Sequence, residues 1–446
     1  MTSPGSARAW RRLGTALIAL AVLGLAGCGS TAPAAPETSA PAAPAEPVTI
    51  RFASYNYGTP DLGGQGVQEL IDQFQREHPN ITIAPEGGSS AELYTRVQAQ
   101  AAAGDPPDIA QIGWSKLAAA ADSLRLVPID DLADAADITA TTGELVPAAL
   151  DAGRIDGRLV AMPFAMSTPT MFVNADLFRA AGLDPANPPT TWADVKTAAI
   201  AIHERTGEQG FYVAAANAAK SDFLTQSLIN SNGGTLLSDA GSVQLNTPAA
   251  VGALSMLGDL TASGAQPSIP DDDAVNLFKA GKLGMYVTST ALMASFRNAA
   301  QGSFELRTAA LPQFGTQPAR PTYSGAGLVV LTDDPAKQAA SWEFLKFLVS
   351  APAFTVITQK IGYLPLRNDS LQDPALTPLL STQPSIQPAL SQLANVTPYQ
   401  AMPGQRGDQA RQLMQDNAVG PIMLQGADPA STAATVQQRM TELLGS

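Results

Sequence analysis

Apolar positions in this chain alternate between two spacings, and the alternation predicts its elements. Val48-Thr49-Ile50-Arg51-Phe52-Ala53 reads as a strand. Val67, Leu70, Ile71 and Phe74 then recur at helical spacing, and His78-Pro79 stops that helix. Ile81-Thr82-Ile83 is a second strand, Ser89-Ser90 can cap a helix over Ala91–Ala103, and Pro106–Ile112 gives a third strand ending at Gly113-Trp114. Strand–helix alternation at these intervals favours parallel pairing with right-handed crossovers, hence an α/β fold. Ligands in such sheets sit beyond the carboxyl ends of the strands. The loops at Asn56-Tyr57, Ser89-Ser90 and Gly113-Trp114 should therefore open on one edge, as a candidate site.

Downstream, Arg154–Val160 reads as a hairpin, and Met162–Asn174 as an extended apolar stretch broken by Pro163 and Pro169. Ser167-Thr168 is a polar island inside it; buried hydroxyls need partners, either backbone or ligand. A short helix stopped at Gly182 follows, then a proline-rich loop and a helix capped by Thr190 or Thr191. A mainly helical region covers Trp192–His203, Asp222–Asn232, Thr247–Ser263 and Asp272–Ala280. Strands are expected at Leu283–Val287, Glu305–Leu311 and Ser324–Leu331, helices at Pro335–Ser350 and Pro352–Lys360, and helices finish the chain. Ser289 and Thr290 begin a helix, where free N–H groups either are capped or receive an anion or hydroxyl. Asp271-Asp272-Asp273 reads as a solvated helix start rather than a metal site.

The amino terminus changes the setting. Arg8, Arg11 and Arg12 precede an apolar run, Leu13–Gly27, too short to cross a bilayer comfortably, and small residues precede Cys28. That is an export signal. Cys28 is the only cysteine, which rules out an internal disulfide or a cysteine metal cluster. Residues 28–47 form an Ala/Pro-rich tether without a periodic apolar face, biased towards extended backbone. The whole chain carries a formal charge of −13, and the leader contributes only arginines, so the exported part is more acidic still. Such a balance argues against a nucleic-acid partner and against a bound polyanion.

The run MPFAMSTPTMFVNADLFRAAGLDPANPPTTWADV, with Ser324-Gly325-Ala326-Gly327-Leu328 and Gly362-Tyr363-Leu364-Pro365 in the same order further on, resembles the extracellular solute-binding proteins of sugar-type ABC importers. Within them it is nearest the branch that binds glycerol phosphate and glycerophosphodiesters. Leu25-Ala26-Gly27-Cys28 likewise resembles the lipobox of bacterial lipoproteins, whose cysteine is acylated. The resemblance implies a two-lobed, type II periplasmic-binding-protein fold, each lobe a mixed sheet flanked by helices, with three hinge crossings and closure around a ligand. It divides the chain into a signal (1–27), a tether (28–47), a first lobe (48–165 and 327–366) and a second lobe (166–326 and 367–446). It adds Gly325, Tyr363 and Arg406 to the candidate ligand contacts Asn56, Tyr57, Ser89, Ser90, Trp114, Ser167, Thr168 and Ser289. Trp114 either stacks on a sugar face or a choline headgroup or packs on the core as a helix-start residue. The family has an aromatic residue where Val173 stands, and its glycerophosphodiester branch has a helix-start serine where Ala291 stands.

The expectation is a monomeric, lipid-anchored receptor on the outer face of the cytoplasmic membrane. It would pass a sugar or oligosaccharide, or alternatively a glycerophosphodiester or glycerol phosphate, to permease subunits, without a metal or other cofactor. Catalysis is not expected: His78 and His203 lack motif partners, and no Gly-x-Ser-x-Gly, His-Glu-x-x-His or P-loop lysine occurs. A carboxylate-pair carbohydrate-active enzyme, which leaves no sequence mark, is the remote alternative.

Overall fold

A computed structural model describes residues 46–59, 63–217, 219, 221–368, 374, 377 and 384–445. The signal, most of the tether and Cys28 lie outside the described residues. Two sheets, each with its own apolar core, build the folded part.

In the first sheet, β1 (Val48–Ser54) lies between β2 (Ile81–Gly87) and β3 (Ile109–Gly113), all parallel. A late strand, β11 (Ser324–Val330), then runs antiparallel between β3 and β6 (Met162–Ser167). The sheet is thus mixed, with the expected parallel pairing confined to β1, β2 and β3. β2 is longer than its apolar residues suggest and accommodates Pro85, because it is an edge strand with a free N–H side. Helix Gly64–Glu77 buries Val67, Leu70, Ile71 and Phe74 as its spacing requires. Phe74 and Phe52 both pack on Phe344, at ring-centroid distances of 4.8 and 5.4 Å. The hairpin of β4 (Arg154–Ile155) and β5 (Arg158–Leu159) turns through Asp156 and Gly157, both at positive φ.

The second sheet has the order β10 (Leu306–Ala309), β7 (Pro169–Asn174), β9 (Leu283–Ser289), β8 (Gln209–Val213). β8 falls inside the stretch read as helical; its Phe211-Tyr212-Val213 is short and follows Gly210, which left little alternation to detect. Thr191, not Thr190, caps Trp192–Thr206 by accepting the Asp194 N–H. Phe172, Phe278 and Phe296 fill this core, with Phe172 edge-on to Phe296 at 4.9 Å. Helices Gly407–Met414, Gly420–Gln425 and Pro429–Gly445 close the same lobe.

One residue, Thr168, separates β6 in the first sheet from β7 in the second. The chain returns between Ala309 and Ser324. Its last passage lies between Asn368, which donates to the Glu144 carbonyl of the first lobe, and Ser385, whose carbonyl accepts from Thr308 of the second. No single helix among the described residues is long and apolar enough to cross a membrane.

Candidate functional site

Strand direction decides which residues meet. β1, β2, β3 and β6 end on one edge of the first sheet, where β11 begins. Asn56, Ser89, Trp114, Ser167 and Gly325 therefore share that edge. On the other side of Thr168, β7 starts and β9 ends, pairing Pro169 with Ser289 and Thr170 with Thr288. The Thr290 N–H donates to the Thr168 carbonyl at 3.2 Å, joining the two edges.

On the first edge a buried polar chain runs from strand to strand. Ser54 Oγ donates to Gln111 Oε1 (2.7 Å), Gln111 Nε2 to Asn56 Oδ1 (2.6 Å), and Asn56 Nδ2 to Tyr363 Oη (3.3 Å). Burial, reinforced by Tyr363, pushes the neighbouring Tyr55 hydroxyl well above its ordinary pKa, so the network stays uncharged. Asn56 and Tyr363 are thus brought together, along with Ser54 and Gln111, which sequence reasoning missed. Gln111 was detectable as the one polar residue in Ile109-Ala110-Gln111-Ile112.

At the joint, Thr168, Thr170 and Thr290 are fully buried, and none of their hydroxyls has a hydrogen-bond partner among the described residues. The buried indole N–H of Trp114 has none either. An unpaired buried donor costs about 1–3 kcal/mol, so the three hydroxyls together at the joint point to groups kept for an incoming partner. Thr170 escaped the sequence reading because its alternation matched a core strand.

The other candidates divide plainly. Trp114 starts helix Trp114–Ser123 and lays its ring over Gly327, where an added Cβ would sit 2.8 Å from the indole; of its two readings the structure has the packed one. Gly325 has φ +132°, and a Cβ there would lie 2.0 Å from the Ala165 carbonyl oxygen, so backbone packing alone requires it. Tyr57 is half-buried against the first core. Ser167 is buried opposite Ser324. Ser89 and Ser90 are exposed; the helix begins only at Leu93 behind Glu92, and Ser89 Oγ donates to the Glu92 carboxylate at 2.9 Å. Ser289 accepts the Ala291 N–H at 3.1 Å, a cap. Arg406 is exposed at the end of its loop.

Among the described residues the buried arginine is Arg411, five positions further on. Its guanidinium donates to Asp408 Oδ1 from Nε (3.1 Å) and from an Nη (2.5 Å). Burial would lower its pKa, but Asp222 and Asp408 more than offset this and raise it. Asp222 is itself fully buried and accepts from Tyr399 Oη (2.6 Å) and Gln226 Nε2 (3.0 Å). Burial holds its carboxyl up, while Arg411 and those donors pull it down. From the first lobe, Lys116 reaches the same cluster, its amine 5.5 Å from the centre of the Tyr94 ring. Burial lowers the Lys116 pKa; Asp408 opposes and Arg411 reinforces that shift. Two cations from opposite lobes thus share one neighbourhood with Asp408.

Two α/β lobes joined by extended crossings, with strand ends facing across the joint, define a receptor that takes a solute between its lobes. The chain belongs to the family of bacterial extracellular solute-binding proteins, which matches residues 69–384. It is similar to the sn-glycerol-3-phosphate-binding periplasmic protein UgpB of Pectobacterium atrosepticum, 26% identical over 361 residues that cover 77% of this chain and 79% of that protein. The fold is shared with UgpB from Mycobacterium tuberculosis in complex with glycerophosphocholine, at TM-score 0.79 and 23% identity, covering 89% of this chain and 98% of the other. It is shared too with the GacH receptor of Streptomyces glaucescens, solved unliganded and with acarbose, at TM-score 0.76 and 21% identity over 89% and 98%. The two-lobed fold implied by the sequence is therefore observed, in a family of binding proteins.

Proposed function

We propose that this chain is the receptor of an ABC importer and captures a sugar or oligosaccharide between its lobes. The observation that carries the reading is the group of buried, uncharged hydroxyls at the joint, Thr168, Thr170 and Thr290, none with a hydrogen-bond partner among the described residues. A polyhydroxylated solute supplies acceptors and donors to all of them, which a charged group alone would not. Lobe closure would bring the second-lobe edge at the end of β9 towards a solute held at the strand ends of the first lobe. Acylation of Cys28 and the 28–47 tether would hold the receptor at the outer face of the membrane beside its permease. In that scheme the chain works as a monomer, carries solute without catalysis, and has lobe boundaries near 165/166 and 366/367 and, because β11 belongs whole to the first sheet, before Ser324 rather than at the expected 326/327.

A second reading, a glycerophosphodiester or glycerol phosphate, is favoured by Lys116 and Arg411, which could meet a phosphate from opposite lobes. It accords with the solutes named for the UgpB proteins. Thermal unfolding of the full chain against sugars and glycerophosphodiesters separates the two. A solute at a hundred times its dissociation constant should add about 2.7 kcal/mol. For a sugar, Thr170→Val should weaken binding while Lys116→Gln leaves it; for a phosphodiester the order reverses. Silence across the panel by a folded protein would count against both.

A further inference from the structure

Beside the joint, one segment of the first lobe is seated on the second. Helix Ala351–Val356 runs on as a π-helix, Ile357–Ile361, and stops at Gly362, whose φ is +99°. Ile357 and Ile361 belong to the first core. The turn is wedged there: a Cβ on Gly63 would lie 2.5 Å from Ile361 Cα, and one on Gly66 2.8 Å from Lys360 Cβ. Its other side meets the second lobe. A Cβ on Gly362 would lie 3.0 Å from the Thr290 carbonyl oxygen, 3.2 Å from the Ala294 nitrogen and 3.3 Å from Met293 Cβ. The Thr290 N–H is bonded to the Thr168 carbonyl, so Gly362 packs next to a crossing, where rotation of the lobes displaces atoms least.

Arg297 stands off that pivot. It lies about 10 Å beyond Thr290, on helix Met293–Ala300, which buries Met293 and Phe296 in the second core. Its guanidinium crosses to the first lobe, where Nη2 donates to the Gln359 carbonyl at 2.8 Å. The last carbonyls of a helix have no amide ahead of them, and a cation is favoured at that end. A second-lobe arginine thus caps a first-lobe helix. Helices Trp114–Ser123 and Gly407–Met414 also touch across the lobes. Rotation about Gly362 moves Arg297 relative to Gln359 by more than it moves Gly362 relative to Thr290, so the bond is tied to one lobe angle. We propose that Arg297 is an interlobe latch, a positioning residue that holds the unliganded chain in the apposed arrangement and so sets how often the cleft opens. One such bond between half-buried groups shifts the ratio of apposed to open chains about three- to tenfold. The latch rests on the reading of a receptor that closes, but its test needs no solute.

Hydrogen exchange of the unliganded full chain, read by mass spectrometry, tests this in Arg297→Met and Arg297→Lys. In Arg297→Met the peptide Gly113–Leu117, at the other interlobe contact, should exchange about three- to tenfold faster than in the parent. Leu70–Phe74 and Val195–Ile202, inside the two cores, should keep the parent's rates. Arg297→Lys retains a cationic donor and should fall between parent and Arg297→Met. An unchanged or slower rate at Gly113–Leu117 would overturn the latch. So would equal acceleration in both cores, which marks lost packing rather than opening, or an Arg297→Lys rate no closer to the parent than that of Arg297→Met. Failure of every sugar and phosphodiester to bind would count against the proposed function and leave this result standing.

Discussion

Asn56 and Tyr363, 307 positions apart in the chain, share a buried hydrogen bond: the Asn56 carboxamide donates to the Tyr363 hydroxyl at 3.3 Å. The strand-end loop of β1 is thereby pinned to the segment through which the chain last leaves the first lobe. A ligand-facing edge is held in shape by residues that spend their polar groups on each other.

Tyr363→Phe should therefore act on stability before affinity. It removes one hydroxyl from a network that includes Asn56, Gln111 and Ser54 and keeps the ring in the core. A loss of about 1–2 kcal/mol in urea unfolding, with an unchanged denaturant slope, is expected. A neutral change in stability with a large loss of solute binding would instead make Tyr363 a direct contact.

Gly325→Ala should be among the most damaging single-methyl additions. The φ of +132° is costly for any L side chain, and the new Cβ would meet the Ala165 carbonyl at 2.0 Å. The expected loss exceeds about 2 kcal/mol, with faster amide exchange along β6 and β11. Gly104→Ala is the control: φ is +79° but nothing lies within 4 Å of the added carbon, so only the backbone cost, about 1–2 kcal/mol, should appear.

Most of the architecture was legible because it follows from local pattern. Helix Gly64–Glu77 shows its buried stripe, Thr247 and Pro248 mark a helix start, and Asp156-Gly157 marks a hairpin. The edge that carries Asn56 and Trp114 follows from strand direction alone. What could not be read was which way each side chain on that edge points. Trp114 turns inward because Gly327, more than two hundred residues later, leaves room for its ring. Arg411 rather than Arg406 is the interior cation because, five residues on, it lies on a different face of the helix and faces Asp222, a pairing set by how the last helices pack. Ser89 and Ser90 lost their capping role because the helix starts two residues after the expected Ala91, and propensity cannot fix that offset.

Arg411→Met should be severe at neutral pH and milder in acid. Removing the guanidinium leaves the fully buried Asp222 without its counter-charge, a cost of about 3–5 kcal/mol for a broken buried pair. Asp222 already has a folded pKa above its ordinary value, and the substitution raises it further. The penalty is then present above that pKa and shrinks as the carboxyl protonates on falling pH. Urea unfolding at pH 8 and pH 5 should show the difference between variant and parent narrowing, and Asp222→Asn added to Arg411→Met should recover much of the loss at pH 8.

Asp271 makes the opposite case, a carboxylate whose removal should help. Burial, with Asp272 beside it, raises its pKa from 3.8 to about 6, although the Tyr286 hydroxyl bonded to it pulls the other way. Tyr212, packed against Tyr286, faces the same carboxylate and is itself pushed up, so neither phenol adds charge near neutrality. Between pH 3.8 and about 6 the folded chain binds more protons here than the unfolded chain. Stability from this group is therefore greatest below that window and falls as pH rises through it. The shift corresponds to at most about 3 kcal/mol, and partial exposure of the side chain brings the expected effect nearer 1–2 kcal/mol. Asp271→Asn keeps an oxygen for the Tyr286 hydroxyl and carries no charge, so it should be more stable than the parent at pH 7 and lose that advantage by pH 4. If the two proteins instead melt in parallel from pH 4 to pH 7, burial does not raise the Asp271 carboxyl, and the prediction fails.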